Sequence, residues 1–119
     1  MDIYRIILEN LTSGIISLDI DGIILYINPM AEKILHIKRN DIVNKKYNIA
    51  FSIYPELNYM IDNMIKNNKT IRRDNLEITH GSIILRIGYS SMFLKDDNGR
   101  QIGYNIIFQD MDVISKYGK

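Results

Sequence analysis

Gly14-Ile15-Ile16-Ser17-Leu18-Asp19-Ile20-Asp21-Gly22-Ile23-Ile24-Leu25-Tyr26-Ile27-Asn28-Pro29-Met30-Ala31-Glu32 is the stretch that decides the fold. Two short runs rich in β-branched residues, Gly14 to Leu18 and Ile23 to Ile27, flank Asp19-Ile20-Asp21-Gly22. Asp-Gly supplies the positive φ that a tight antiparallel connection needs, so the stretch predicts a hairpin with Gly22 in its turn. Asn28-Pro29 then stops the second strand and opens a helix. The Asn side chain can accept from the free N–H groups of the first turn, and Pro at the first helical position forfeits no hydrogen bond. Glu32 stands near the positive end of that helix. Asp19 and Asp21 do not begin a calcium loop, because Ile23, Ile24 and Leu25 follow where further oxygen ligands would have to stand.

Upstream, Tyr4, Ile7, Leu8 and Leu11 recur at helical spacing between Asp2, Arg5, Glu9 and Asn10, and Ile3 and Ile6 widen the apolar face. Such a face packs broadly on one core or splits between its own domain and a partner, which makes Ile3, Ile6 and Ile7 candidates for a homodimer contact. Downstream, Asn40 to Ser52 has little periodicity and predicts a loop with one or two short helical turns. Pro55 opens a clearer helix whose stripe is Leu57, Met60, Ile61, Met64 and Ile65, ending before Asn67-Asn68. The period then changes to two. Leu76 and Ile78, then Ile83, Leu85, Ile87 and Tyr89, then Ile102, Tyr104, Ile106 and Phe108 mark three strands. His80-Gly81 and Lys95-Asp96-Asp97-Asn98-Gly99 are the turns between them, with Gly99 the second structural glycine.

Hairpin, helices and three-stranded meander add up to an α+β domain: a five-stranded antiparallel sheet with helices on one face and an amphipathic N-terminal helix. That helix, or a second copy, is the available cover for the other face. At 119 residues the chain fits one core. With 46% hydrophobic and 24% charged residues it has a soluble composition, and no apolar run approaches a membrane span. The start, Met1-Asp2-Ile3-Tyr4-Arg5, lacks a secretory leader, so a cytoplasmic location is expected. A formal charge of +1 gives no long-range field for nucleic acid or anionic lipid, and Lys38, Arg39, Lys45 and Lys46 read as a solvated surface.

The residues from Leu8 to Leu35 resemble the opening of PAS domains: a Gly-hydrophobic first strand, an Asp-X-X-Gly turn, a second strand, then Asn followed by Ala and Glu on a helix. Asp97 to Asp112 is similar to that family's last strand and its Asp-X-Thr junction, with Asp112 in place of the usual Thr. The match is nearest to PAS modules of bacterial sensor histidine kinases and related regulators. It implies a division into an N-terminal helix (1–12), a PAS core (13–110) and the start of a linker (111–119) to an output domain in the same full-length chain. It also implies a non-catalytic, sensory or regulatory role. Asp110 is expected to cap an outgoing helix carrying Val113 and Ile114, and Asp110 and Asp112 together form the expected signal junction.

For a ligand, Met60, Met64, Ile78, Leu85, Ile87, Ile106 and Phe108 are the candidates, because methionine can line an adaptable cavity; the competing reading is a packed core. A small apolar molecule suits that lining, and its identity is open. Light-sensing members of the family that the chain resembles attach their chromophore through a Cys, and this chain has none, so a covalently bound chromophore is not expected, and thiolate metal sites are excluded. The resemblance places a haem-ligating His on the long helix, and the segment Pro55 to Asn68 has none. The only histidines, His36 and His80, lack carboxylates at ligand spacing, which argues against a metal. No nucleophile, base and orienting group form a recognisable set, so no catalytic residue is assigned. A ligand-free dimerisation or docking module with a filled core is the alternative function.

Overall fold

The computed structural model describes residues 2–112. In chain order these form α1 (Ile3–Glu9), β1 (Gly14–Asp19), β2 (Ile24–Ile27), α2 (Pro29–Leu35), α3 (Arg39–Ile42), α4 (Tyr47–Ala50), α5 (Pro55–Asn67), β3 (Asp74–His80), β4 (Ile83–Lys95) and β5 (Gln101–Asp110). The strands make one antiparallel sheet in the order β2-β1-β5-β4-β3. The first and last strands thus lie side by side in the sheet, with Gly14 opposite Phe108 and Asp19 opposite Gly103.

The hairpin forms where Asp19-Ile20-Asp21-Gly22 places it. Gly22 has φ +88°, and the Asp19 carboxylate accepts from the N–H groups of Asp21 and Ile23, both at 2.9 Å. The β4–β5 connection repeats the device: Asp96 accepts from Asn98 N at 2.9 Å and Arg100 N at 3.0 Å, and Gly99 has φ +80°. In both turns the carboxylate satisfies N–H groups that the reversing backbone leaves without ladder partners. One boundary moves. The second strand, expected from Ile23, begins at Ile24, because Ile23 is taken up by the turn, bonded to Asp19 through both its N–H and its carbonyl, and pairs further only in an isolated bridge to Lys46. The register also slips beyond the Ser17–Tyr26 pair, so that Leu18 faces Ile24. A bulge of this kind leaves Leu25 exposed while Ile24 and Ile27, three residues apart, are both buried.

Helix α2 starts on Asn28 with Pro29 at its first position, and α5 starts on Pro55; each ends on a left-handed residue, His36 and Asn68 respectively. The stripe of α5 buries Leu57, Met60, Ile61 and Met64 against the inner face of the sheet, where Ile16, Leu18, Ile78, Ile87, Tyr89, Tyr104, Ile106 and Phe108 lie. Burying each side chain of this size stabilises the fold by roughly 1.5–3 kcal/mol. The unpatterned segment between α2 and α5 forms the short helices α3 and α4 and sends three aromatic residues, Tyr47, Phe51 and Tyr54, into the same core. The Tyr54 hydroxyl donates to Leu35 O at 2.5 Å, and burial raises its pKa.

Helix α1 is shorter than the expected Asp2 to Leu11. Asp2 caps it by accepting from Arg5 N, and Asn10 ends it by donating its side-chain amide to Ile6 O. None of its residues is buried, and Ile3, Tyr4 and Ile7 are 54%, 77% and 51% exposed. No helix among the described residues is long and apolar enough to cross a membrane.

Candidate functional site

Six of the seven side chains considered as a ligand lining, Met60, Met64, Ile78, Ile87, Ile106 and Phe108, are buried together in the core cluster. Leu85 is only partly buried and packs at its edge. It lines a cleft of about 510 Å³ at the margin of the inner face. There α2 supplies Met30 and Ile34, one helical turn apart, and the end of β5 supplies Gln109 and Asp110; Thr12, Lys33 and His36 complete the lining. The cleft therefore brings together a residue singled out as ligand lining and one singled out as the signal junction, which lie far apart in sequence.

At the junction itself, Asp110 Oδ1 accepts from Asp112 N at 3.0 Å, the geometry by which an Asp side chain steers the chain out of a strand. Asp112 in turn receives Arg86 Nη1 at 3.3 Å, and Arg86 Nε lies 3.4 Å from Glu77 Oε2. Arg86 and Glu77 are cross-strand partners on the outer face of the sheet. Met111 lies against that face too: a Cβ on Gly88 would come within 2.8 Å of its Sδ. A second cavity, about 600 Å³, opens there, lined by Asn75, Gly88, Ser90, Ile107, Gln109 and Met111 among others. Gln109 borders both cavities, and the last residues of β5 pass between them. The expected helix residues Val113 and Ile114 lie outside the described residues.

Asn28 does more than cap a helix. Fully buried, it accepts from Ala31 N and Ile15 N, both at 2.9 Å, and donates to Ser13 O at 2.8 Å and Leu8 O at 3.3 Å. Sequence reasoning missed a charged group beside it. Glu9 Oε2 receives both the Tyr26 hydroxyl, at 2.7 Å, and Arg39 Nη2, at 2.9 Å. The Arg39 guanidinium lies 5.4 Å from the centre of the Tyr26 ring and 3.9 Å from Glu32 Oε1. The Tyr26 hydroxyl, then Arg39, hold the Glu9 carboxyl below its ordinary pKa; burial and the Glu9 bond push Tyr26 up to about 12. Arg39 sits in a basic run that reads as solvated surface, and nothing in the spacing of 9, 26 and 39 signals their meeting. Of the two histidines, His80 packs edge-on against Tyr54 at 6.0 Å between ring centres. Among the described residues, no three His, Cys, Asp or Glu side chains cluster to hold a metal.

The profile of the PAS fold matches residues 2–85, well over half of the chain. The chain belongs to the PAS family. PAS domains of solved structure superimpose over nearly its whole length. The PAS domain of Bordetella pertussis BvgS does so with a TM-score of 0.75 and 14% identity, covering 98% of this chain and 93% of that one. The PAS domain of nitrogen regulation protein NR(II) from Vibrio parahaemolyticus gives 0.67 and 16%, covering 92% and 99%. A PAS domain of a protein from Colwellia psychrerythraea gives 0.67 and 14%, covering 92% and 97%. At such identities the likeness is one of fold. No curated protein sequence matches the chain. PAS domains are generally non-catalytic signalling modules, and the α+β architecture expected from the sequence is the PAS architecture.

Proposed function

We propose that this PAS domain is the sensory and regulatory module of a bacterial signal-transduction protein, such as a cytoplasmic histidine kinase, and passes its state to an output domain through Asp110 and Asp112. The observation that carries this reading is that Leu85 and Asp110 line one cleft. A small, mostly apolar molecule seated on Met30, Ile34 and Leu85 would touch the start of the outgoing chain directly. It would bias the output to the extent that it binds one arrangement of the junction better than the other. With the six deeper residues packed in the core, input at the edge of the inner face needs no rearrangement of that core.

The test combines extraction of the purified protein under denaturing conditions with melting in the presence of a metabolite panel. A ligand at a hundredfold excess over its Kd stabilises by about 2.7 kcal/mol, which for a domain of this size raises Tm by roughly 10 °C. Leu85→Trp, which fills the cleft, is expected to abolish that shift. A protein that carries nothing through purification and ignores the panel would remove the ligand.

A second reading, a constitutive dimerisation or docking module, is favoured by one observation: the exposed apolar face of α1. Sedimentation at high concentration tests it. The wild type is expected to form a homodimer that Ile6→Glu or Ile7→Glu dissociates, and a monomer unaffected by either variant sinks this reading.

A further inference from the structure

Helix α1 presents an unusual combination. Its apolar side chains face outward and none of its residues is buried, yet its last turn is fixed to the core at two points. One is the Glu9 carboxylate, which accepts from Tyr26 of β2 and from Arg39 at the start of α3. The other is Leu8 O, which accepts from the Asn28 side chain at 3.3 Å. Arg39 is itself held from the core side. Its backbone N–H donates to Glu32 Oε2 at 2.8 Å, and its guanidinium lies over the Tyr26 ring. A single side chain on α1 is therefore tied to β2, and through Arg39 to α2 and α3.

We infer that Glu9 is a clasp that couples the N-terminal helix to the α2–α3 corner, so that charge rather than packing sets where the apolar face of α1 points. The inference goes beyond the ligand and junction reading and does not rest on it. The clasp sits at the opposite terminus and uses none of the cleft residues. Two carboxylate-directed bonds suffice to orient a seven-residue helix, because charge-assisted hydrogen bonds are about twice as strong as neutral ones. They also leave the helix separable from the core at modest cost, since none of its residues is buried and only the covered parts of side chains such as Ile6 and Leu8, 41% and 36% exposed, would meet water when the clasp opens. Any event that displaces Arg39 would then release or reorient the face carrying Ile3 and Ile7, and that face would gain or lose its register with a partner.

The test is amide hydrogen exchange on the whole chain, comparing wild type with Glu9→Gln, Arg39→Gln and the reversed pair Glu9→Arg with Arg39→Glu. Each single variant is expected to speed exchange at Ile7, Leu8 and Glu9 by roughly five- to tenfold through local opening while leaving the amides of β5 unchanged. The reversed pair is expected to recover only part of the protection, because Glu at 39 would stand near Glu32 and lose the contact with the Tyr26 ring. Unchanged exchange in α1 would overturn the inference. So would faster exchange in α1 and β5 alike, because the contact would then support the fold as a whole and couple nothing in particular. Tyr26→Phe keeps the ring under Arg39 and removes one bond to Glu9, so its effect should be intermediate.

Discussion

Replacing Asn28 by alanine tests the most consequential single side chain in the fold. The substitution deletes four hydrogen bonds in a fully buried site. The loss at Ala31 N is that of a helix cap, about 1 kcal/mol. Ile15 N is left without this partner in a buried position, at about 1–3 kcal/mol, and the part-buried bond to Ser13 O contributes about 1 kcal/mol more. The bond to Leu8 O, at 3.3 Å and near solvent, adds little. The total is about 3–5 kcal/mol, which lowers Tm by roughly 10–20 °C in a domain of this size. Urea unfolding of wild type, Asn28→Ala and Asn28→Ser measures it and divides it. Serine can still cap the helix but cannot span to Ser13 and Ile15, so it should recover about 1 kcal/mol and no more. Full recovery by serine, or a loss below about 1 kcal/mol in the alanine variant, would refute the reasoning that Asn28 joins β1 to α2 and show it to be an ordinary cap.

Other expectations follow from equally local features. Gly22→Ala should destabilise more than Gly99→Ala although both glycines have positive φ, because a Cβ at 22 would lie 2.7 Å from the Tyr47 ring while one at 99 meets nothing within 4 Å; paired denaturation curves compare them. Gly103→Ala should prevent folding, judged by loss of the cooperative transition, since its Cβ would collide with Leu18 O. Tyr26 and Tyr47 have their pKa raised from 10.0 to about 12 in the folded protein. A raised folded pKa gives stability that is complete below pH 10 and is lost as pH rises towards 12, so alkaline unfolding should accompany tyrosinate absorbance in that window. Tyr47→Phe should flatten that dependence. Glu9 and Asp62 have lowered pKa values, so their contribution is present above the ordinary carboxylate range and lost on acidification below it. Asp62→Asn should reduce the acid-side slope measured by urea titration across pH.

Much of the scaffold is legible in the sequence because it is specified locally. Asp19-Ile20-Asp21-Gly22 makes its turn from its own side chain, Asn28-Pro29 starts its helix from its own cap, and period-two apolar runs identify the inner faces of β4 and β5. The candidate site is less legible, for a reason visible at Tyr47, Phe51 and Tyr54. Periodicity tells which way Met60, Met64 and Ile106 face; it does not tell what else arrives in the same space. Here three rings come from a segment with no pattern, and one of them, Tyr54, is fixed by a bond to the backbone of α2. The Glu9–Arg39 contact is opaque for the same reason. It joins residues thirty positions apart by a meeting of side chains that neither helix predicts.

The pairing of β1 with β5 bears on how the domain responds to load. Gly14 begins β1 and stands opposite Phe108, near the end of β5, so the chain enters and leaves these two strands at the same end. Tension applied between the segment before Gly14 and the segment after Phe108 acts across the ladder instead of along it. The hydrogen bonds are then loaded one after another, starting with the Gly14–Phe108 pair, and the two strands unzip at low force; pulling along the strands would shear the whole ladder at once.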